Sequence, residues 1–173
     1  MRKLVAEIDD LPRETLLRLN KMHGKNWFTL DGTWFRLVEE KFGLEAALEL
    51  DFKMWQSQGR TEARRINEIL NIQEKGPRGV LKAVSFLTSM QSEAFFWEYE
   101  EKGEKEIYLR CTHCVPQEGR LRNGLREFPC RPMGQSVFEG VAEIIDPQVR
   151  VRCLNAPPGP HPQNIWCEWE FWV

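Results

Sequence analysis

Residues 165–173 read IWCEWEFWV. In an extended chain successive side chains point to opposite faces. Ile165, Cys167, Trp169, Phe171 and Val173 therefore share one side of a strand, and Trp166, Glu168, Glu170 and Trp172 the other. Residues 148–154, QVRVRCL, alternate in the same way, with Val149, Val151 and Cys153 on one side and Arg150 and Arg152 on the other. Pairing the two segments sets arginines opposite glutamates on an outer face, where each pair is worth a few tenths of a kcal/mol to about 1 kcal/mol. The apolar set turns to a core. The connector between them, NAPPGPHPQN, is stiff and proline-rich.

Working outward, residues 94–100 (AFFWEYE) and 106–112 (EIYLRCT) flank the polar turn EKGEK and predict a hairpin. Its parity puts Ile107, Leu109 and Cys111 in the core. Between the hairpins, residues 132–145 carry Val137, Val141, Ile144 and Ile145 at helical spacing, and Asp146-Pro147 stops the run. The first half has helical period throughout. Asp9-Asp10-Leu11-Pro12 starts a helix that ends near Gly24. A second helix runs from Asp31-Gly32-Thr33 to Gly43, a third from Leu44 to Trp55 and closed by Gly59, a fourth over 60–72, and a fifth over 80–90. The expectation is a single α+β domain, 1–173. A helical part (1–92) precedes an antiparallel sheet with one crossing helix (93–173), built as hairpin, helix, hairpin.

The chain has 173 residues, 42% hydrophobic and 29% charged, with a formal charge of −2, enough to bury a core without staples. The absence of a basic excess gives nucleic-acid binding no electrostatic support. The N-terminal MRKLVAEIDD has no apolar core of signal length and no segment is long and apolar enough to span a bilayer, so a cytoplasmic protein is expected. There five cysteines are expected to stay reduced. Seven tryptophans, including Trp55, supply a bulky core or the walls of an apolar pocket. The tryptophan-rich last strand can lie at the edge of a homo-oligomer or in the middle of the sheet.

Residues 110–130, RCTHCVPQEGRLRNGLREFPC, open on a C-x-x-C pair and close on a third cysteine. A zinc ribbon needs a second C-x-x-C, and Cys130 is followed by Arg-Pro-Met-Gly. Cys111 and Cys114 have opposite parity if the strand runs on, and Cys111 reads as a small core hydrophobe. Cys114 and Cys130 flank a loop holding Gln117, Glu118, Arg120, Arg122 and Arg126. A thiol near arginines has a lowered pKa and is a better nucleophile or metal ligand. In the third helix Asp51 falls within the apolar arc of Leu44, Ala47, Leu48, Phe52 and Trp55. A carboxylate facing a core is either ion-paired or functional, with a raised pKa. Glu62 sits at the edge of the fourth helix's apolar arc, in a first turn where an acid is favoured.

DGTWFRLVEEKFGLEAALELD, Trp55, CVPQEGRLRNGLREFPC and IDPQVRVRCLNAPPGPHPQNIWCEWEF together resemble a family of uncharacterised bacterial and archaeal proteins. That family is similar to the L-aminothiazoline-carboxylate hydrolases and, more distantly, to the 4-vinyl reductase ligand-binding domain. The resemblance implies an antiparallel sheet crossed by a helix and a small-molecule pocket between sheet and helices. Its pattern falls on Asp51, Cys114, Gln117, Glu118, Cys130, Cys153, His161 and Cys167. A further cysteine often follows Cys153 in that pattern; here Asn155-Ala156 stands there, which weakens a multi-cysteine metal site.

The leading expectation is a small-molecule-binding, hydrolase-like protein acting on a small C–N or C–S compound. Cys114 or Cys130 would be nucleophile or metal ligand, Asp51 and Glu118 acid–base or anchoring groups, Arg120 or Arg126 a carboxylate clamp, and Gln117 and Trp55 substrate contacts. The alternatives are a non-enzymatic ligand sensor, and a metalloprotein holding zinc or iron on Cys114, Cys130, Cys153, His161 and Cys167.

Overall fold

The computed structural model describes residues 8–173. Residues 1–7, which carry most of the N-terminal stretch read for a signal, lie outside them. The helical half is built from fewer and longer helices than its glycines predict. α1 (Arg13–Phe42) runs unbroken through Gly24 and Gly32, and α2 (Leu44–Leu70) through Gly59. Two of these glycines mark close approaches rather than stops. A Cβ on Gly24 would lie 3.0 Å from the Cα of Ser92, and one on Gly59 would lie 3.1 Å from the Cα of Val137. The true break is Gly43, whose φ of 88° only glycine adopts freely, and the chain reverses on that single residue. The two helices pack back on each other, with Trp27 edge-on to Trp55 at 4.9 Å and Phe35 and Val38 clustered with Ala47.

α3 (Gly76–Val84) and the one-turn α4 (Thr88–Gln91) replace the single fifth helix expected. Glu62 is not in a first turn but in the body of α2. Its buried carboxylate accepts hydrogen bonds from the Thr88 N–H at 3.2 Å and from the Thr88 hydroxyl, so it satisfies the start of α4. Asp146 does the same for α3, accepting from the Gly76 N–H at 2.8 Å.

The second half forms one antiparallel sheet of β1 (Phe95–Glu101), β2 (Glu106–Cys114), β3 (Arg150–Asn155) and β4 (Cys167–Trp172), in the order β1-β2-β4-β3. The protein is therefore α+β, with helices first and the sheet second. β4 is an inner strand, paired on both sides. The parity within β4 holds, but only one of the expected arginine–glutamate pairs forms. Arg152 lies opposite Glu170, whose carboxylate is buried. Arg150 lies opposite Trp172, and Glu168 is met instead by Arg110 of β2, Nε 2.5 Å from Oε1. Ile107, Leu109, Val151, Trp169 and Phe171 are buried on the other face.

α6 (Cys130–Ile145) crosses that face, and Phe138 packs edge-on against Trp169 at 5.0 Å and Phe171 at 5.5 Å. Each such side chain contributes about 1.5–3 kcal/mol. α2 lies against α6, so the helical hairpin is anchored to the sheet through it. Residues 115–122, expected to be loop, form a short helix, α5 (Val115–Arg122), opened by Pro116 in its first turn. Among the described residues no helix is long and apolar enough to cross a membrane.

Candidate functional site

Where the helical hairpin meets α5 and the start of α6, the packing leaves a cavity of about 410 Å³. α1 contributes Phe28, Asp31, Phe35 and Arg36, and α2 contributes Asp51 and Trp55. Phe95, Cys114, Gln117, Arg120, Phe128, Cys130 and Met133 complete the wall. A second, deeper cavity of about 110 Å³ abuts it across Trp55, Cys114, Gln117, Cys130 and Met133 and reaches the sheet at Trp97, Cys111, Cys167 and Trp169.

Two carboxyl groups face the outer cavity. Burial alone raises Asp31 from 3.8 to about 6. Burial also raises Asp51, and the nearby charge of Asp31 raises it further, to about 7, against the opposing pull of Trp55. Neither has a Lys, Arg or His within ion-pair reach among the described residues. Asp51 was legible from its helical arc. Asp31 was not, because Asp-Gly-Thr reads as a helix start. Once α1 is seen as continuous, Asp31 falls three residues after Phe28 and four before Phe35, on their face of the helix.

Gln117, 1% exposed, donates from Nε2 to the Phe128 carbonyl at 2.8 Å and to Cys130 Sγ at 2.9 Å, and its Oε1 accepts from the Phe128 N–H at 2.8 Å. It pins the loop that forms one wall. Arg120 lines the cavity, but its fork is closed on Glu39, Nη1–Oε2 at 2.8 Å and Nη2–Oε1 at 2.9 Å, and its Nε donates to the Arg126 carbonyl. The pair ties α5 to α1 and leaves Arg120 no free edge for a substrate carboxylate. Arg126 is exposed and Glu118 pairs with His113 at 2.7 Å; neither lines a cavity.

The thiols are arranged by a β-bulge. Phe96 pairs with His113 and Trp97 with Cys111, which leaves Thr112 without a partner. The extra residue resets the alternation, so Cys111 and Cys114, expected on opposite faces, are both buried on the inner one. Cys111 lies directly across from Cys167 on β4. Hydrogen bonding to Cys114 and Cys167, together with burial, pushes the Cys111 thiol up. Cys130 is also pushed up, chiefly by burial, contrary to the lowering expected from its arginine neighbours. The reason is that Arg120 is engaged with Glu39 and Arg122 and Arg126 point to solvent.

Cys153, on β3, is raised to about 11 by burial and lines neither cavity. His161 turns its Nδ1 to the Ile165 carbonyl at 2.8 Å and stacks beside Trp166. Of the predicted ligand pool, Cys114, Cys130 and Cys167 line the inner cavity together while Cys153 and His161 lie outside it, and among the described residues no group of three or more His, Cys, Asp or Glu is placed to hold a metal ion. All five cysteines are free thiols.

Residues 9–173 match the family of unknown function DUF6125, and the chain belongs to it. No curated protein and no solved structure matches the chain.

Proposed function

We propose that the protein binds a small organic molecule in the cavity between α1, α2 and α5 and hydrolyses a C–N or C–S bond in it, with Asp31 and Asp51 as the acid–base pair. The observation that carries this reading is two carboxyl groups that line one cavity with no basic side chain in ion-pair reach among the described residues, both raised towards neutrality by burial and, for Asp51, by the neighbouring charge of Asp31. Such a pair holds an ionised and a protonated member together near neutrality. The ionised carboxylate takes a proton from water as the water oxygen attacks the substrate carbon, and the protonated carboxyl gives its proton to the departing nitrogen or sulfur. Aromatic walls exclude competing water and orient the substrate.

The test is turnover of a panel of small cyclic and acyclic amides, amidines and thioesters. Asp51→Asn and Asp31→Asn are expected to lower kcat by at least about a hundredfold. Cys114→Ser and Cys130→Ser report on a thiol nucleophile and are expected to retain most of the rate, since burial keeps the Cys130 proton in place. Activity that survives both asparagine variants refutes the assignment. The second reading, a ligand carrier without chemistry, is favoured by the protonated thiol and the occupied arginine. Saturable binding with no turnover of any bound compound would select it.

A further inference from the structure

Four of the five cysteines, Cys111, Cys114, Cys130 and Cys167, line the inner cavity. Two of them are opposed across the sheet. Cys111 of β2 pairs with Cys167 of β4 at the last step of that ladder, and both are buried on the inward face. Opposed residues of antiparallel strands have Cα atoms about 4.5–5.5 Å apart, inside the range that a disulfide bridges. The C-x-x-C spacing suggests a different partner, Cys114. The bulge brings Cys114 to the same face, but three residues of extended chain span roughly 10 Å, beyond the reach of a disulfide. Register rather than motif therefore selects the pair.

The surroundings favour ionisation of one of the two thiols. The Cys111 S–H is within reach of the His113 carbonyl, at 3.1 Å, and of the Cys167 sulfur. Hydrogen bonding from Cys111 holds the Cys167 thiol below its ordinary range despite burial, and the Trp169 indole N–H adds to the lowering. That N–H is buried and has no hydrogen-bond partner among the described residues. A neutral thiol is a poor acceptor and leaves it unsatisfied, whereas a thiolate accepts it. A buried donor without a partner calls for a reason, and a sulfur that ionises beside it supplies one. Cys114 and Cys130 line both cavities, so the outer cavity leads to these thiols. The inner one has room for several molecules the size of water. Its apolar wall opposes charged reagents but admits a small neutral one.

We propose that Cys111 and Cys167 are a reversible dithiol–disulfide pair, oxidised by hydrogen peroxide that enters through the two cavities. The Cys167 sulfur attacks one peroxide oxygen. The O–O bond breaks, and the departing oxygen leaves as water with the thiol proton. The Cys111 sulfur then attacks the sulfenic acid so formed. The S–S bond forms, the S–O bond breaks, and the hydroxyl leaves with the Cys111 proton as a second water. The two thiols lose two electrons, which the peroxide takes up. An external thiol reverses the step by exchange. The bond ties β2 to β4 at the floor of the inner cavity, and it does not depend on the carboxyl pair of the outer one.

The test exposes the reduced full chain to stepped amounts of hydrogen peroxide at pH 7.5. Free thiols are counted, and the bond is located by mass spectrometry of peptides prepared without reductant. The chain is expected to lose two of its five thiols, to yield a linked Cys111–Cys167 peptide, and to recover all five in dithiothreitol. Cys114→Ser and Cys130→Ser are expected to keep the bond, and Cys167→Ser to abolish it. Trp169→Phe keeps a ring and removes the donor. It is expected to slow the loss of thiols at least about fivefold and to raise the pH at which the reaction reaches half its limiting rate. The peptide map of the parent chain needs no substitution, so it decides the matter even where a core variant fails to fold. A Cys111–Cys114 bond, oxidation of Cys114 or Cys130 ahead of the pair, or five thiols that survive peroxide able to oxidise free cysteine, overturns the proposal.

Discussion

Asp51→Asn is expected to stabilise the protein, and to do so only above acidic pH. The Asp51 carboxyl titrates near 7 in the fold against 3.8 for the free side chain. At about 1.4 kcal/mol per pH unit, that gap amounts to roughly 4 kcal/mol against the ionised form. The group is only half-buried and the mouth of the cavity admits solvent, so screening reduces this to about 2 kcal/mol. The sign follows from linkage. A group whose folded pKa is raised contributes full stability below its unfolded pKa and loses it as pH rises through the folded pKa.

The native protein should therefore weaken between about pH 4 and pH 7, and the asparagine variant should not share that part of the loss. The charged groups around the cavity are Asp31, Arg36 and the Arg120–Glu39 pair, and of these only Asp31 raises Asp51. Urea midpoints with a common m-value give the difference. We expect the variant to be more stable by about 2 kcal/mol at pH 8, by under about 1 kcal/mol at pH 5, and by almost nothing at pH 4. A gain that does not change between pH 5 and pH 8, or a loss at pH 8, would refute the claim that an ionised carboxylate is held against its preference in this wall. Such a group is kept at the expense of stability, as expected of one that acts on a ligand.

Three further outcomes follow from the packing. Gly134→Ala would place a Cβ 2.5 Å from Cζ2 of Trp169, a core ring with nowhere to go, so the urea midpoint should fall by about 1–3 kcal/mol in stability and the near-ultraviolet tryptophan dichroism should change. Gln117→Leu strands the N–H and carbonyl of Phe128, which should lower stability by about 2–3 kcal/mol and speed amide exchange at Phe128. Alkylation by iodoacetamide at pH 7.5 should modify Cys130 at least about tenfold more slowly than free cysteine, as measured by peptide mass spectrometry, because burial keeps its thiol protonated.

Local pattern alone determined much of this protein. Alternation in residues 148–154 and 165–173 fixed which faces of β3 and β4 turn inward, and helical spacing found α6 and the position of Asp51, because both periods are written into consecutive side chains. What local pattern does not carry is which distant backbones touch. Gly24 and Gly59 read as helix ends because glycine is the common stop. Only the packed fold supplies the reason they lie within helices, namely Ser92 and Val137 pressed against them. The bulge at Thr112 has no glycine to announce it, and it alone brings Cys111 and Cys114 to one face. The site is tertiary for the same reason. Asp31 and Asp51 are twenty residues apart in a chain that reverses at Gly43, and their shared cavity and the rise that Asp31 adds to Asp51 exist only because two helices and α5 converge there. Identity and period decide what each residue can do; charge coupling and desolvation depend on distance and burial, which only the assembled fold decides.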